Sequence, residues 1–202
     1  NQIFLALWAA EEGRGIAVGL QCYYQLIKNY APKFLGSIGI NSKAIPFHLW
    51  QKFKVGNMDH HVALSPYVKR FQIAKVPIEQ IPKKQRSPIR ITFKRVDELE
   101  LQTLNTRNLY LHQTPIKSDI YIKNRFFDHP VYKYKVYAIF KKGRILALCV
   151  IRPILHEGVS VLRIVDFIGA NESFALLSDF ILAMLKEYDA EYIDLYSHGV
   201  QI

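Results

Sequence analysis

The 202-residue sequence has only two cysteines and no long apolar run. Cys22 and Cys149 stand in apolar patterns, which argues against a disulfide framework and favours reduced core residues in a cytoplasmic protein. The longest apolar runs, "IFLALWAA" and "ILALCVI", are far shorter than the roughly 20 residues that span a bilayer. We therefore expect a cytoplasmic protein without a transmembrane segment.

Carboxylates are absent between Gly13 and Met58, so the net charge of +10 is unevenly distributed. Residues 1–84 carry eleven Lys and Arg side chains against four acids, whereas residues 85–202 are nearly balanced. Such a surface favours an anionic ligand, for example a cofactor phosphate, a nucleotide-linked sugar, a lipid headgroup or a nucleic acid. A solvated basic face without a ligand is the alternative.

Strand-like and helix-like patterns alternate along the whole chain, which predicts an α/β or α+β fold with two domains. The first pattern covers residues 1–66 and predicts strands at 3–10, 33–40 and 58–65 with helices at 18–30 and 42–53. Three prolines and several basic residues predict a linker at 67–89. Residues 90–202 predict a second domain with a strand at 90–96, a helix at 97–109, a hairpin about "KKGR", the strand "VLRIVDFIG", a helix and a final strand "EYIDLY".

The stretch "EEGRGIAVGL" separates the first strand from the first helix. Small residues allow the backbone to approach a phosphate closely, and the free N–H groups at a helix start favour negative charge. The residues in question are Gly13, Arg14, Gly15, Ile16 and Ala17. A simple tight turn that packs a helix on a sheet is the alternative.

This stretch resembles the pyrophosphate-binding turn, R/Q-x-x-G-x-G/A, of the GCN5-related N-acetyltransferases (GNAT). Gly15 and Ala17 match its last two small positions, whereas Glu12 stands where the family has Arg or Gln. A second register, Arg14-x-x-Ala17-x-Gly19, keeps the arginine but loses the first glycine. The resemblance implies an acetyl-CoA or other acyl-CoA cofactor, whose pantetheine arm would pair with the strand that carries Leu7 and Trp8.

The segment "SIGINSKAIPFHLWQKFKVGNMDHHVAL" resembles the closing strand–Asn–helix–strand part of the same family. The resemblance implies that Asn41 contacts the cofactor. It also places His48 where the family has a Tyr that protonates the leaving thiolate, or Trp50 if the register shifts by two. Packing of His48 on a helix face is the alternative.

Residues 90–200 resemble the first part of a second GNAT-like domain. Its strand-to-helix junction, "VDFIGANESFALL", lacks a small-residue phosphate turn and has Glu172 at the helix start. We therefore expect a substrate-binding or structural domain rather than a second acetyl-CoA site. Asp166, at the end of an apolar strand, is either functional there or a cap for the following helix region. The pair His60 and His61 points to opposite faces of a strand, so we expect no metal site.

The resemblance implies a tandem GNAT-like acyltransferase, and we expect this chain to be a fragment of it. The first domain would lack its N-terminal strands, and with them the general base, and the second its C-terminal part. The expected reaction is acetyl transfer to an amine, with an amino sugar of a surface polysaccharide as one acceptor. Two alternatives stay open: a peptidoglycan-bridge-type transferase that accepts aminoacyl-tRNA, which suits the basic first half, and a non-catalytic GNAT-like binding or scaffold module. Nucleic acid is a partner only in the tRNA alternative.

Overall fold

A computed structural model describes residues 2–5, 15–75, 89–110, 113 and 115–198. The chain divides into two compact units, Asn1–Gly56 and Asn57–Ile202, which we call the first and the second unit. Each unit has its own sheet, and helices connect several of the strands. The mixed α/β class predicted from the sequence is therefore confirmed. Among the described residues no helix combines the length and the hydropathy needed to cross a membrane.

The first unit is a strand–helix–strand arrangement followed by a short helical segment. Strand β1 (Gln2–Leu5) pairs in parallel with β2 (Phe34–Ser37), and helix α1 (Gly15–Tyr30) connects them. A 3-10 turn at Ser42–Ala44 leads into α2 (Ile45–Trp50), which has a proline in its first turn, where a missing N–H costs nothing. Helix α1 ends where Ala31 adopts a positive φ of 38°, just before Pro32.

Helix α1 buries a narrower stripe than its sequence suggests. Tyr23 is buried and Leu20 and Ile27 are half-buried, at the three- and four-residue spacing of one helix face. Cys22 lies off this stripe and is exposed, so its predicted place in a core is wrong. Cys149, in contrast, is buried in the second unit, and burial raises the pKa of its thiol.

The second unit contains a six-stranded sheet in the order β3-β8-β7-β6-β5-β4. All neighbouring strands are antiparallel except β7 and β8, which are parallel. The strands are β3 (Asp59–Leu64), β4 (Thr92–Val96), β5 (Lys135–Lys141), β6 (Arg144–His156), β7 (Val159–Gly169) and β8 (Ala190–Ser197). Strand β3, which we expected in the first domain, pairs with β8, so the first unit ends at Gly56 rather than at residue 66.

Helices cover both faces of this sheet. On one face, a 3-10 turn (Asn171–Leu176) and α6 (Ser178–Glu187) pack their apolar side on β6, β7 and β8, with Phe180 fully buried. On the other face lie α3 (Glu98–Thr103), α4 (Arg107–Tyr110), α5 (Asp119–Ile122) and a π-helical turn (Lys123–Phe127). The helix predicted at 97–109 is thus two helices, because Leu104 is extended and the buried Thr106 hydroxyl donates to Asp119 at 2.7 Å.

The predicted hairpin about "KKGR" is confirmed. Strands β5 and β6 pair across a two-residue turn in which Lys142 and Gly143 have positive φ values of 49° and 75°. Positive φ at both positions gives the turn the twist that matches two antiparallel strands.

The segment after β3 belongs to the second unit, although we expected a linker from residue 67. The buried Glu191 of β8 accepts hydrogen bonds from the backbone N–H groups of Gln72, Ile73 and Ala74. Tyr67 also packs against the core around α6. Residues 76–88 of the expected linker lie outside the described residues.

Candidate functional site

In the first unit, a helix lies between two parallel strands along the chain. Strand β1 runs in register with β2 from Gln2 opposite Phe34 to Leu5 opposite Ser37, and the Ser37 hydroxyl donates to the Leu5 carbonyl at 3.0 Å. Helix α1 begins at Gly15 and has no acidic residue in its first turn. In a parallel strand–helix–strand unit, the helix start lies at the carboxyl end of the first strand, where anions bind.

Several residues predicted to bind a cofactor fall in the connection between β1 and α1. Leu7, Trp8, Gly13 and Arg14 lie outside the described residues, as does Glu12. Gly15, Ile16 and Ala17 form the first turn of α1. The structure therefore describes the helical end of the predicted turn and the strand that leads to it.

Asn41 acts as a helix cap in the structure. Its backbone is extended, and its side-chain oxygen accepts a hydrogen bond from the N–H of Lys43 at 2.9 Å, at the start of the 3-10 turn. The side chain is exposed. This cap explains locally why an asparagine stands before "SKA".

His48 lies in α2 and is only 6% exposed. Its ring makes edge-to-face contacts with Phe47 and Phe53, each with 5.6 Å between ring centroids, and its carbonyl accepts from the N–H of Phe53. These contacts favour the packing interpretation. Trp50, the second candidate for the same role, is exposed.

In the second unit, the two parallel strands diverge. The pairing of β7 with β8 ends at Ile164 opposite Leu195, whereas β7 continues to Gly169 alongside β6. The register of β6 and β7 shifts at the same point, because Val150 pairs with Asp166 and Ile151 with Ile164. The extra residue is Val165, so a β-bulge marks the point of divergence. Bulges are frequent beside active sites, where they redirect side chains.

Asp166, next to this bulge, is buried, and its carboxylate has three partners. Its carboxylate forms an ion pair with Lys117 and accepts from the Tyr121 hydroxyl at 3.4 Å and from the N–H of Phe167 at 2.8 Å. Burial, together with the negative charge of Asp166, raises the pKa of Tyr121 to about 12. The raised pKa keeps the Tyr121 hydroxyl protonated, so it remains a donor to Asp166. Asp166 does not cap the following helical region, because the cap residue there is Ala170.

A second polar cluster joins β7, β8 and β3. Asp194 is 4% exposed and accepts two hydrogen bonds from Arg163, Nε to Oδ1 at 2.8 Å and Nη2 to Oδ2 at 2.6 Å. The His60 ring lies 3.1 Å from the same carboxylate and stacks on Tyr196 with 4.2 Å between centroids. Burial raises the pKa of Asp194, but the bonds from Arg163 and His60 outweigh it, so the net pKa is lowered.

His61 points away from this cluster, toward the Ser197 hydroxyl at 3.0 Å. The two neighbouring histidines thus lie on different faces of β3, as the strand geometry requires. In the part of the chain that the structure describes, no group of three or more His, Cys, Asp or Glu side chains is arranged to hold a metal ion.

Sequence reasoning selected Asp166 but missed its partners and the whole Arg163 cluster. The sequence did indicate that such a cluster exists, because Arg163 and Asp194 are charged residues within apolar strands. A charged side chain that is buried needs a partner. The order of the strands in the sheet could not be predicted from the sequence. Only the parallel pairing of β7 with β8 brings Arg163 opposite Asp194.

No protein-family model matches this sequence, and no curated protein matches it. Among solved structures, the chain is similar to a conserved protein of unknown function from Enterococcus faecalis V583, described as a probable N-acyltransferase, with a TM-score of 0.59 and 12% identity. It is also similar to a GCN5-related N-acetyltransferase from Anabaena variabilis ATCC 29413, with a TM-score of 0.51 and 14% identity.

These matches show a shared fold. They cover 96% and 94% of this chain but only 47% and 45% of the two solved chains, so this chain spans less than half the length of either. The predicted GNAT resemblance is thus supported at the level of the fold.

Proposed function

We propose that the protein is an acyl-CoA-dependent N-acyltransferase built from two GNAT-like domains. The observation that carries this proposal is the strand–helix–strand arrangement of the first unit, in which α1 begins at Gly15, within the glycine-containing stretch. The fold shared with a GCN5-related N-acetyltransferase supports it.

The start of α1 fits a diphosphate group. A helix of 16 residues presents unpaired N–H groups and a positive dipole end at its first turn. No acid in that turn opposes an anion, and the chain has no carboxylate from Gly13 to Met58. When bound, the cofactor would supply an acyl thioester, and Gly15, Ile16 and Ala17 would hold its diphosphate through their backbone.

The corresponding junction of the second unit is less suited to a diphosphate. The chain leaves β7 at Gly169, whose carbonyl accepts from the Gln113 amide at 3.0 Å, and enters a 3-10 turn rather than an α-helix. The exposed Glu172 lies in the first turn. We therefore assign the cofactor to the first unit and a substrate-binding or structural role to the second.

The remaining assignments follow the family resemblance. Asn41 would contact the cofactor, and His48 would protonate the departing thiolate. The acceptor would be an amine, and an amino sugar of a surface polysaccharide is one acceptor of this class. These roles are proposals that rest on resemblance.

Calorimetric titration with acetyl-CoA tests the cofactor assignment. Gly15→Glu places an acid at the first position of α1, where it favours the helix itself but repels a diphosphate, so we expect at least tenfold weaker binding. Ala170→Glu is the matched control: it introduces the same side chain at the exposed start of the helical region in the second unit. We expect unchanged binding. Loss of binding in Ala170→Glu alone would move the cofactor site to the second unit.

The positive charge of residues 1–84 favours one second candidate, a transferase that accepts aminoacyl-tRNA. Its signature would be tRNA binding that weakens steeply with salt, because each neutralised phosphate releases counterions. If the protein binds tRNA in this way and does not bind acetyl-CoA, this candidate replaces the first. If it binds neither, the proposal of catalysis fails and the scaffold interpretation remains.

A further inference from the structure

A row of charged side chains crosses three strands of the second unit. Arg152 of β6 is directly opposite Arg163 of β7, which is directly opposite Asp194 of β8. Side chains of directly opposite residues lie on the same face, with Cβ atoms roughly 5 Å apart. Two arginines are therefore neighbours on this face, an arrangement that repels unless negative charge offsets it.

Arg163 is satisfied by Asp194. The two parallel hydrogen bonds fix the plane of its guanidinium, and the Asp194 bond raises the pKa of Arg163. The Tyr196 ring lies beside it, with 5.2 Å from the guanidinium carbon to the ring centroid. A guanidinium has five N–H donors, so Arg163 retains donors beyond the two that Asp194 uses.

Arg152 is not satisfied in the same way. Its Nε is buried and has no hydrogen-bond partner among the described residues, and its guanidinium carbon lies 4.5 Å from the centre of the Tyr132 ring. Within the part of the chain that the structure describes, no ion pair involves Arg152. A buried donor without a partner is unfavourable, because it has lost its hydrogen bonds to water and gained none in the protein.

Asp194 and Asp166, two buried carboxylates of the neighbouring strands, already have partners. Asp194 neutralises Arg163, and Asp166, which follows on β7, neutralises Lys117. The local excess of positive charge therefore lies at Arg152.

We propose that Arg152, with the remaining donors of Arg163 and the ring of Tyr132 as a wall, binds an oxyanion, either a phosphate or a carboxylate group of a ligand. The planar fork of an arginine matches such groups with two hydrogen bonds, and a bound anion would relieve the repulsion between the two guanidiniums. This site lies wholly in the second unit and is independent of the cofactor assigned to the start of α1.

Nuclear magnetic resonance of arginine side chains tests this site. The Nε–H of Arg152 is buried and should give a resonance protected from exchange with water. Sodium phosphate and sodium acetate are titrated separately at constant ionic strength, with sodium chloride as the replaced salt. We expect this resonance to shift and saturate with at least one of the two anions. Saturation with phosphate alone identifies a phosphate ligand, and saturation with acetate alone identifies a carboxylate ligand.

Arg152→Lys keeps the charge but removes the fork, and should weaken binding of the anion about tenfold, followed through the Arg163 Nε–H resonance. Arg144→Lys makes the same change at an exposed position of the same strand and should leave binding unchanged. A wild-type shift that does not saturate, or that chloride reproduces, overturns the proposal without any variant. Equal binding by Arg152→Lys and wild type also overturns it.

Discussion

Replacement of Glu191 tests how the second unit holds the segment 72–74, which follows β3. The Glu191 side chain is 2% exposed, and Oε2 accepts from the N–H groups of Ile73 at 3.0 Å and Ala74 at 3.2 Å, while Oε1 accepts from Gln72. Glu191→Gln keeps the shape of the side chain but replaces one oxygen by an NH₂ group. That group would face backbone donors, so one or two hydrogen bonds are lost and a donor is left without a partner.

The expected loss of stability follows from these bonds. A hydrogen bond to a charged group contributes about 1.5–3 kcal/mol net, so we expect Glu191→Gln to lower the free energy of unfolding by about 3 kcal/mol. For a chain of about this size, each kcal/mol lowers the melting temperature by roughly 2–4 °C, which gives a decrease of roughly 6–12 °C. The loss of local stability should be largest at residues 72–74.

Urea unfolding measures the total effect, and hydrogen exchange of the Ile73 and Ala74 amides measures the local one. Glu187→Gln is the matched control, because it makes the same substitution at an exposed position at the end of α6. The control should change stability by less than about 0.5 kcal/mol. A change equally small in Glu191→Gln, with unchanged protection of both amides, would refute the reasoning.

Two further predictions concern ionisable groups. The pKa of Asp194 is lowered in the folded state, so its contribution to stability is complete above the unfolded pKa near 3.8 and is lost as the pH falls through the lower pKa of the folded state. Asp194→Asn should therefore lower stability at pH 7 and flatten the acid limb in urea titrations from pH 6 to 2; an unchanged acid limb would contradict this. His48→Gln should lower kcat for acetyl transfer if His48 donates a proton; a lowered melting temperature with unchanged kcat would assign it to packing.

Much of the fold could be predicted from local sequence. The alternation in "KYKVYAIF" and "ILALCVIRPI" about a glycine turn fixes a hairpin, because strand period and turn chemistry agree. The apolar spacing of "ESFALLSDFILAMLKEY" likewise predicts the helical region that ends in α6, since its buried residues recur every three or four positions. These elements depend on near neighbours in the chain.

The features that were predicted wrongly, or not predicted at all, depend on contacts between residues far apart in the sequence. Strand β3 has the pattern of any half-buried strand, and nothing local indicates that its partner is β8, more than 120 residues later. From the sequence alone, Glu191 would be predicted to lie on the surface, because its contacts with the segment 72–74 are known only from the structure. For the same reason the pairing of Arg163 with Asp194 could not be predicted, because it depends on β8 lying beside β7 in the sheet.

The central claim is that an acyl-CoA binds at the start of α1. Hydrogen–deuterium exchange with and without acetyl-CoA, followed by peptide mapping, tests it most directly. The account predicts slower exchange in peptides that contain the first turn of α1, Gly15 to Val18, and little change in peptides that contain Gly169 to Ser173. Protection confined to the second junction, or no protection in either peptide at saturating acetyl-CoA, would contradict the account.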